Sequence, residues 1–368
     1  MVRIIHSSDF QLGRQFLEVG KSGDLVRKAL KESFEATIKL ALDRGVDALF
    51  VAGNLFATNL ISRHLVGWFY QQVERLGKIP CVVLPGTTDP LDENSLYRYL
   101  PAEGLPENLH ILGMSEGPIF RCEDSSVTFY RMPSVHPSSD FSGRQEKLGY
   151  EGVHVVALNL KETPKDEQES KAVTGLVESV LREGFDYVAV GGMGTYHQFT
   201  PKSYSCAPAE ANSFHSTTPG EVMVVEFADH NVKIEKVTTG KLRWKYLELD
   251  NSQYRYTIEL EEEISKHASP DTLLKIKLDG AYVSDGFLDT VLLERSFRDK
   301  FCFLQIDDCR RFGSENPLSL RSGAGSLMND YNKLLQEAIQ KAPPELKLKY
   351  MRAMYTGSAM LAGKDVIG

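Results

Sequence analysis

Apolar positions along the first 115 residues follow two alternating rhythms: short unbroken runs, and longer stretches with an apolar residue every three or four places. VRIIHSSD is a run of the first kind. Lys28 to Arg44 is of the second, with Leu30, Phe34, Ile38 and Ala41 or Leu42 on one helical face. Val46 to Asn54 (VDALFVAGN) is again nearly continuous, Ser62 to Leu76 predicts a helix, and Ile79 to Asp89 (IPCVVLPGTTD) another strand. Unbroken apolar strands separated by helices are buried on both faces. In such sheets ligands bind beyond the carboxyl ends of the strands, and three strand ends here carry short polar tags: SSDFQ, GNLFAT and GTTD.

The rhythm changes from about Ile111 to Met132, where short, turn-rich segments including ILGMSEGPIFRC and SVTFYRM predict strands of a second sheet. Val153 to Leu160 (VHVVALNL) and Phe185 to Phe199 (FDYVAVGGMGTYHQF) are further apolar strands that end in polar or glycine-rich loops. Glu221 to Thr239 alternates on either side of Asp229-His230-Asn231, the signature of a hairpin. Together these elements predict an α/β fold, a sandwich of two mostly buried sheets flanked by helices.

After about Asp250 the organisation resets. Tyr254 to Lys266 is an acidic segment of strand or helix type, Leu273 to Leu278 and Phe301 to Ile306 read as strands, and Gly286 to Arg295 reads as a helix. This makes a small α/β unit. A loop holding Gly313, Pro317, Gly323 and Gly325 leads to a helix near Ser326 to Lys341, and Pro343-Pro344 separates it from a last helix. Both helices carry Leu and Met at helical spacing, which serves internal packing or a partner equally well.

Composition narrows the class. With 42% apolar and 25% charged residues the chain is an ordinary globular sequence. No run of about 18 uncharged apolar residues occurs, and no basic-apolar-small pattern opens the chain, so the expected setting is the cytoplasm, away from membranes. The five cysteines, Cys81, Cys122, Cys206, Cys302 and Cys309, are scattered without a CxxC pair, and are expected to be reduced and buried. A net charge of -8 excludes a wholly basic nucleic-acid-binding surface but leaves local clusters: Lys241, Arg243 and Lys245; Arg310-Arg311; Lys347, Lys349 and Arg352.

Five strand-end tags in one order carry more information than any one of them. The frames IIHSSDFQLG, LFVAGNLF, VVLPGTTD, VVALNL and DYVAVGGMG resemble the layout of calcineurin-like metallophosphoesterases, and most closely the SbcD-type DNA repair nucleases. SYSCAPAE and EVMVVEF are similar to the segment that completes the second sheet of that family, and LLKIKLDG resembles the start of its capping domain. The resemblance implies a metallophosphoesterase-like domain over 1–248, a capping domain over 249–315 and a C-terminal helical partner-binding segment over 316–368. It also implies two divalent ions, usually manganese, that activate a water and clamp a phosphodiester from about 3.5–4 Å apart.

Residue by residue, the metal ligands carry over poorly. Asp9 stands where the first carboxylate belongs, Gln11 for a ligating His, Asn54 for the metal-bridging Asp, Thr87 for a ligating Asn and Thr88 for the His that assists the leaving group. Asn159 stands for the next His, and Gly192 and Gly194 for the final pair. Hard cations that close together need anionic oxygen, and a neutral amide does not supply it. The expectation is a catalytically silent pseudo-nuclease that needs no cofactor. It would act as a DNA-binding subunit, or as a structural or regulatory one without DNA contact, beside an SbcC-like coiled-coil ATPase in DNA repair or processing, with pairing of two copies as a further option. Arg14, Lys241, Arg243, Arg310 and Arg311 are its candidate DNA contacts. The alternative is an active metal-dependent DNA exonuclease or phosphodiesterase with a non-standard site built from Asp9, Asp89 and His197.

Overall fold

The computed structural model describes residues 1–99, 104–114, 118–138, 147–216, 218–228, 231–254, 256–280, 290–310 and 326–361. The chain divides into two compact units, Met1–Trp244 and Lys245–Gly368.

The first unit opens with β1 (Val2–Ser7), α1 (Gly23–Arg44), β2 (Ala48–Ala52), α2 (Arg63–Glu74), β3 (Cys81–Leu84), α3 (Leu96–Tyr99) and β4 (Leu109–Ile111). It continues through β5 (Ile119–Cys122), β6 (Val127–Arg131), β7 (Val153–Asn159), α4 (Glu167–Arg182) and β8 (Tyr187–Gly191). The short strands β9 (His197–Thr200) and β10 (Ser203–Ser205) precede the long pair β11 (Glu221–Ala228) and β12 (Asn231–Thr238). One six-stranded sheet has the order β12-β11-β1-β2-β3-β4, and the other β5-β6-β7-β8-β10-β9. Both are mixed. β1 through β4 run parallel with β11 antiparallel beside β1, and β6, β7, β8 and β10 run parallel with antiparallel edges. The chain is therefore an α/β protein with two mixed sheets flanked by helices.

Period-2 alternation divides each strand between two cores. Ile4, Phe50, Ala52, Val82, Leu84, Phe129, Val155, Ala157, Tyr187 and Ala189 point between the sheets and pack together. Tyr130, Val156, Leu158, Val188 and Val190 point the other way, onto Val173, Val177 and Val180 of α4. Phe50 and Phe129 stack across the sandwich with ring centroids 5.2 Å apart. α1 begins earlier than its apolar spacing suggested. It buries Val26, Ala29, Leu30, Phe34, Ile38 and Ala41, leaves Leu42 exposed, and stops at Gly45, whose φ of 52° suits glycine. Ser62 caps α2 by accepting the Leu65 N–H, and Asp166 caps α4 by accepting the Glu169 N–H.

Two expectations are corrected here. Leu109–Ile111 joins the first sheet beside β3, because the crossover through α3 returns the chain parallel to the strand it left; only β5 and β6 of that stretch enter the second sheet. Cys81, Cys122 and Cys206 are buried, but Cys302 is half-buried and Cys309 is exposed, since both lie at or beyond a strand with an open face; all five are thiols outside any disulfide.

The second unit takes in most of β13 (Arg243–Asp250), then α5 (Thr257–Ser265), β14 (Ser269–Asp279), α6 (Thr290–Phe297) and β15 (Phe301–Asp308). Its sheet has the order β13-β14-β15. Leu260 and Ile264 of α5 and Leu293 and Phe297 of α6 pack on Leu274, Ile276, Leu278 and Ile306. The acidic segment before β14 is thus a helix. α7 (Ser326–Lys341) and α8 (Pro344–Leu361) pair with each other: the Tyr331 hydroxyl donates to the Ala353 carbonyl at 2.6 Å, and Tyr331 lies where a Cβ on Gly357 would sit. The loop holding Gly313 to Gly325, the start of the helix read from Gly286, the turn residues Asp229 and His230, and Arg311 lie outside the described residues.

Phe50→Ala removes one half of the inter-sheet stack and is expected to lower the unfolding free energy by about 3–5 kcal/mol in urea denaturation. A loss below about 1 kcal/mol would mean that the facing sheets close over the gap.

Candidate functional site

Alternation also determines which residues reach the mouth of the sandwich. Two places beyond Ala52, Leu84, Phe129, Ala157 and Ala189 come Asn54, Gly86, Arg131, Asn159 and Gly191, all on the inward-facing register at the carboxyl ends of their strands. The two sheets meet there at backbone distance, since a Cβ on Gly191 would lie 1.7 Å from the Ala52 carbonyl oxygen; within the first sheet the neighbouring ends of β2 and β3 are as close, since a Cβ on Gly86 would lie 2.3 Å from Asn54 Oδ1. Only glycine permits that approach. The loops after β1 and β2 are zipped by backbone bonds, Asp9 N to Gly53 O at 3.1 Å and Gln11 N to Asn54 O at 2.9 Å. Asp9, Gln11 and Asn54 take φ of 54°, 45° and 53°. Asp and Asn tolerate that left-handed conformation, whereas Gln11 holds it under strain.

A polar network fills the mouth. Asn54 Nδ2 donates to Asp9 Oδ1 at 2.7 Å, and Ser8 Oγ donates to Asp9 Oδ2 at 2.9 Å. On the other side, the backbone N–H groups of Thr87 and Thr88 donate to Asn54 Oδ1 at 2.9 and 3.1 Å. Both threonine hydroxyls lie 3.2 Å from the same oxygen, but the Thr88 hydroxyl is closer to the Phe56 carbonyl, at 2.6 Å, and its one proton goes there. Because main-chain N–H groups can only donate, the amide is held with its oxygen on the Thr87-Thr88 turn and its NH2 on Asp9. Burial raises the Asp9 pKa, opposed by hydrogen bonds from Asn54, Ser8 and the Gly194 N–H.

This arrangement does not fit the manganese pair implied by the resemblance. Where a bridging carboxylate would face cations, Asn54 presents N–H donors. Gln11 Oε1 accepts from Arg14 Nη1 at 3.1 Å, and Gly192 and Gly194 have no ligating atom. Asn159 is buried, with neither amide atom hydrogen-bonded among the described residues. Among those residues no group of three or more His, Cys, Asp or Glu side chains could hold a metal, so Asp9, Asp89 and His197 do not combine into the alternative site. Asp89 is committed elsewhere: its carboxylate accepts the Phe56 and Gly86 N–H groups at 3.0 and 2.9 Å and the Tyr97 hydroxyl at 2.6 Å. A residue that reads as a turn before Pro90 is thus a buried clamp joining the loops after β2 and β3 to α3. His197, on β9, sits edge-on to Phe199 with ring centroids 4.5 Å apart. His6 packs in the core, its Nδ1 2.9 Å from the Tyr187 hydroxyl, and burial lowers its pKa to about 3.

The candidate DNA contacts fare unevenly. Arg310 is buried and forks onto Asp308, with Nη2 to Oδ2 at 2.8 Å, so its charge is offset inside the second unit. Arg14 pairs with Glu18 at 2.8 Å and lies over the Phe16 ring, and Lys241 reaches Glu32 at 2.7 Å. Arg243 is exposed on β13. The residue that sequence reasoning passed over is Arg131; its signal was its place as the last inward position of the alternating run VTFYR.

Asp89 provides a pH test of definite sign. Burial raises its pKa from 3.8 to about 6, so the folded state retains a proton that the unfolded chain releases. The stability this supplies is full below pH 3.8 and lost as pH rises through about 6. Across this window wild-type stability is expected to fall relative to Asp89→Asn, by no more than about 3 kcal/mol, in denaturant titrations at each pH. Parallel curves would mean that the carboxyl titrates no differently in the folded and unfolded chains.

Neither a family model nor a curated protein matches the chain.

Proposed function

We propose that the chain is a catalytically silent phosphoesterase-like subunit of SbcD type, which keeps the strand-end scaffold for binding rather than hydrolysis. The observation that carries this reading is the Asn54 amide. It occupies the position of a bridging carboxylate, is oriented by two backbone N–H groups, and directs its own N–H at the carboxylate of Asp9. The five tags of the SbcD-like order all fall at strand carboxyl ends around one mouth, as that resemblance requires. In this reading the ligand is DNA and the partner an SbcC-like coiled-coil ATPase. The α7–α8 hairpin supports a partner role through exposed Leu327 and Leu334 on α7 and Leu346, Met360 and Leu361 on α8.

Purified full-length protein is expected to hold no stoichiometric manganese and to cleave neither linear duplex nor single-stranded DNA when manganese is added. Manganese-dependent cleavage that Asp9→Ala abolishes would overturn the proposal. Gln11→His combined with Asn54→Asp is expected to remain inactive, because Gly192 and Gly194 still offer no ligand. Removing residues 316–368 is expected to abolish co-purification with a coiled-coil ATPase; undiminished recovery of that ATPase would place its docking surface elsewhere.

A further inference from the structure

Arg131 ends β6 with its side chain on the inter-sheet side, in register with Val127 and Phe129, while Tyr130 faces α4. Its guanidinium lies against the backbone just beyond β4: a Cβ on Gly113 would fall 1.9 Å from Nη1 and 3.0 Å from Cζ. The strand end that carries it is fixed, with Arg131 N donating to Pro118 O at 2.7 Å and Met132 N to Ala157 O at 2.9 Å. Among the described residues no carboxylate, carbonyl or hydroxyl meets the guanidinium. Arg3, Arg14, Arg121 and Arg310, by contrast, each hold a carboxylate within 2.9 Å. Arg131 is half-buried, and desolvation alone lowers its pKa.

A guanidinium has five N–H donors, and taking it partly out of water without a counter-charge is unfavourable. Asn159 compounds the imbalance at the same mouth. It lies on the adjacent strand, two residues beyond Ala157, the register partner of Arg131, and its amide N and O are both unpartnered at 1% exposure. Among the described residues, inward-facing positions on adjacent strands thus hold a cation without an anion and an amide without a partner. An oxyanion that accepts from the guanidinium fork would supply the missing counter-charge.

We propose that Arg131, which ends the strand next to the one that carries Asn159, is a binding site for a phosphate group at the inter-sheet mouth. That the site takes an anion follows from a guanidinium that has no counter-charge among the described residues; that the anion is phosphate rests on the phosphoesterase-like reading above. The phosphate belongs either to a nucleic-acid backbone or to a free phosphate, and different probes separate the two.

The test compares the full-length wild type with Arg131→Met and Arg131→Lys. A site held at a cost to the fold predicts that Arg131→Met melts at the same temperature as wild type or higher; a melting point several degrees lower would assign Arg131 a structural role and overturn the proposal. In fluorescence anisotropy with a labelled single-stranded oligonucleotide, Arg131→Met is expected to bind roughly tenfold more weakly. The slope of log affinity against log salt should shrink by about 0.7–1, and Arg131→Lys should fall between the two. If the oligonucleotide result is unchanged but inorganic phosphate raises the melting point of wild type and not of Arg131→Met, the site is real and its ligand is a free phosphate. Equal responses of wild type and Arg131→Met to both probes would overturn the proposal, as would acetate protecting wild type as well as phosphate does. Manganese-dependent nuclease activity would sink the silent-subunit reading while leaving the Arg131 comparison to stand or fall by itself.

Discussion

The structure of the first unit depends on how closely the two sheets approach at their carboxyl ends. The Ala52 carbonyl lies against the Cα of Gly191, and Asn159 Oδ1 against that of Gly53, at distances that leave no room for a Cβ. That contact brings the ends of β1, β2, β3, β7 and β8 to one mouth, which is why Asp9, Asn54, Thr87, Asn159 and Gly194 belong together although they span most of the unit. The Phe50–Phe129 stack two layers deeper sets the same spacing with side chains. Backbone contact at the rim and ring contact in the interior thus fix one inter-sheet distance.

Much of this was legible in the chain because alternation and continuous apolar runs report burial directly. The strands ending in SSDFQ, GNLFAT and GTTD and the helices between them follow from their period alone. What escaped was short or depended on distant partners. β9 and β10 are four and three residues long, and SYS in β10 carries no apolar run to announce it. Arg310 looks like half of a basic pair, yet the carboxylate two residues before it takes its charge. Asp89 reads as a turn residue because nothing local shows that Phe56, Gly86 and Tyr97 will converge on it. Among the site residues, the scarcity of anionic and imidazole side chains was visible at once. The orientation of the Asn54 amide was not, since two main-chain donors from another loop impose it.

The mouth also differs chemically from a metal site in how its charge is balanced. Asp9 is the one carboxylate in the network, and it is offset by N–H and O–H dipoles rather than by a cation. An amide oxygen has two lone pairs, so the Thr87 and Thr88 N–H groups saturate Asn54 Oδ1 and the nearby hydroxyls add little. Such a closed set of dipoles holds the strand ends without a cation. Among the described residues, unused hydrogen-bonding capacity at this mouth lies at Asn159 and Arg131.

The place of β1 in its sheet has a consequence for how the protein is made. One neighbour, β2, follows within the first 52 residues, but the other is β11, and the Arg3–Glu226 bond that accompanies their pairing joins positions 223 apart. At roughly 5–20 residues per second of synthesis, β1 waits on the order of ten seconds or more for its second neighbour. During that interval Ile4 and Ile5 belong to a strand with an unpaired edge, open to association with other chains. Closure of the first sheet is therefore a late and non-local event, and the newly made chain has most need of chaperone protection before residue 227 leaves the ribosome.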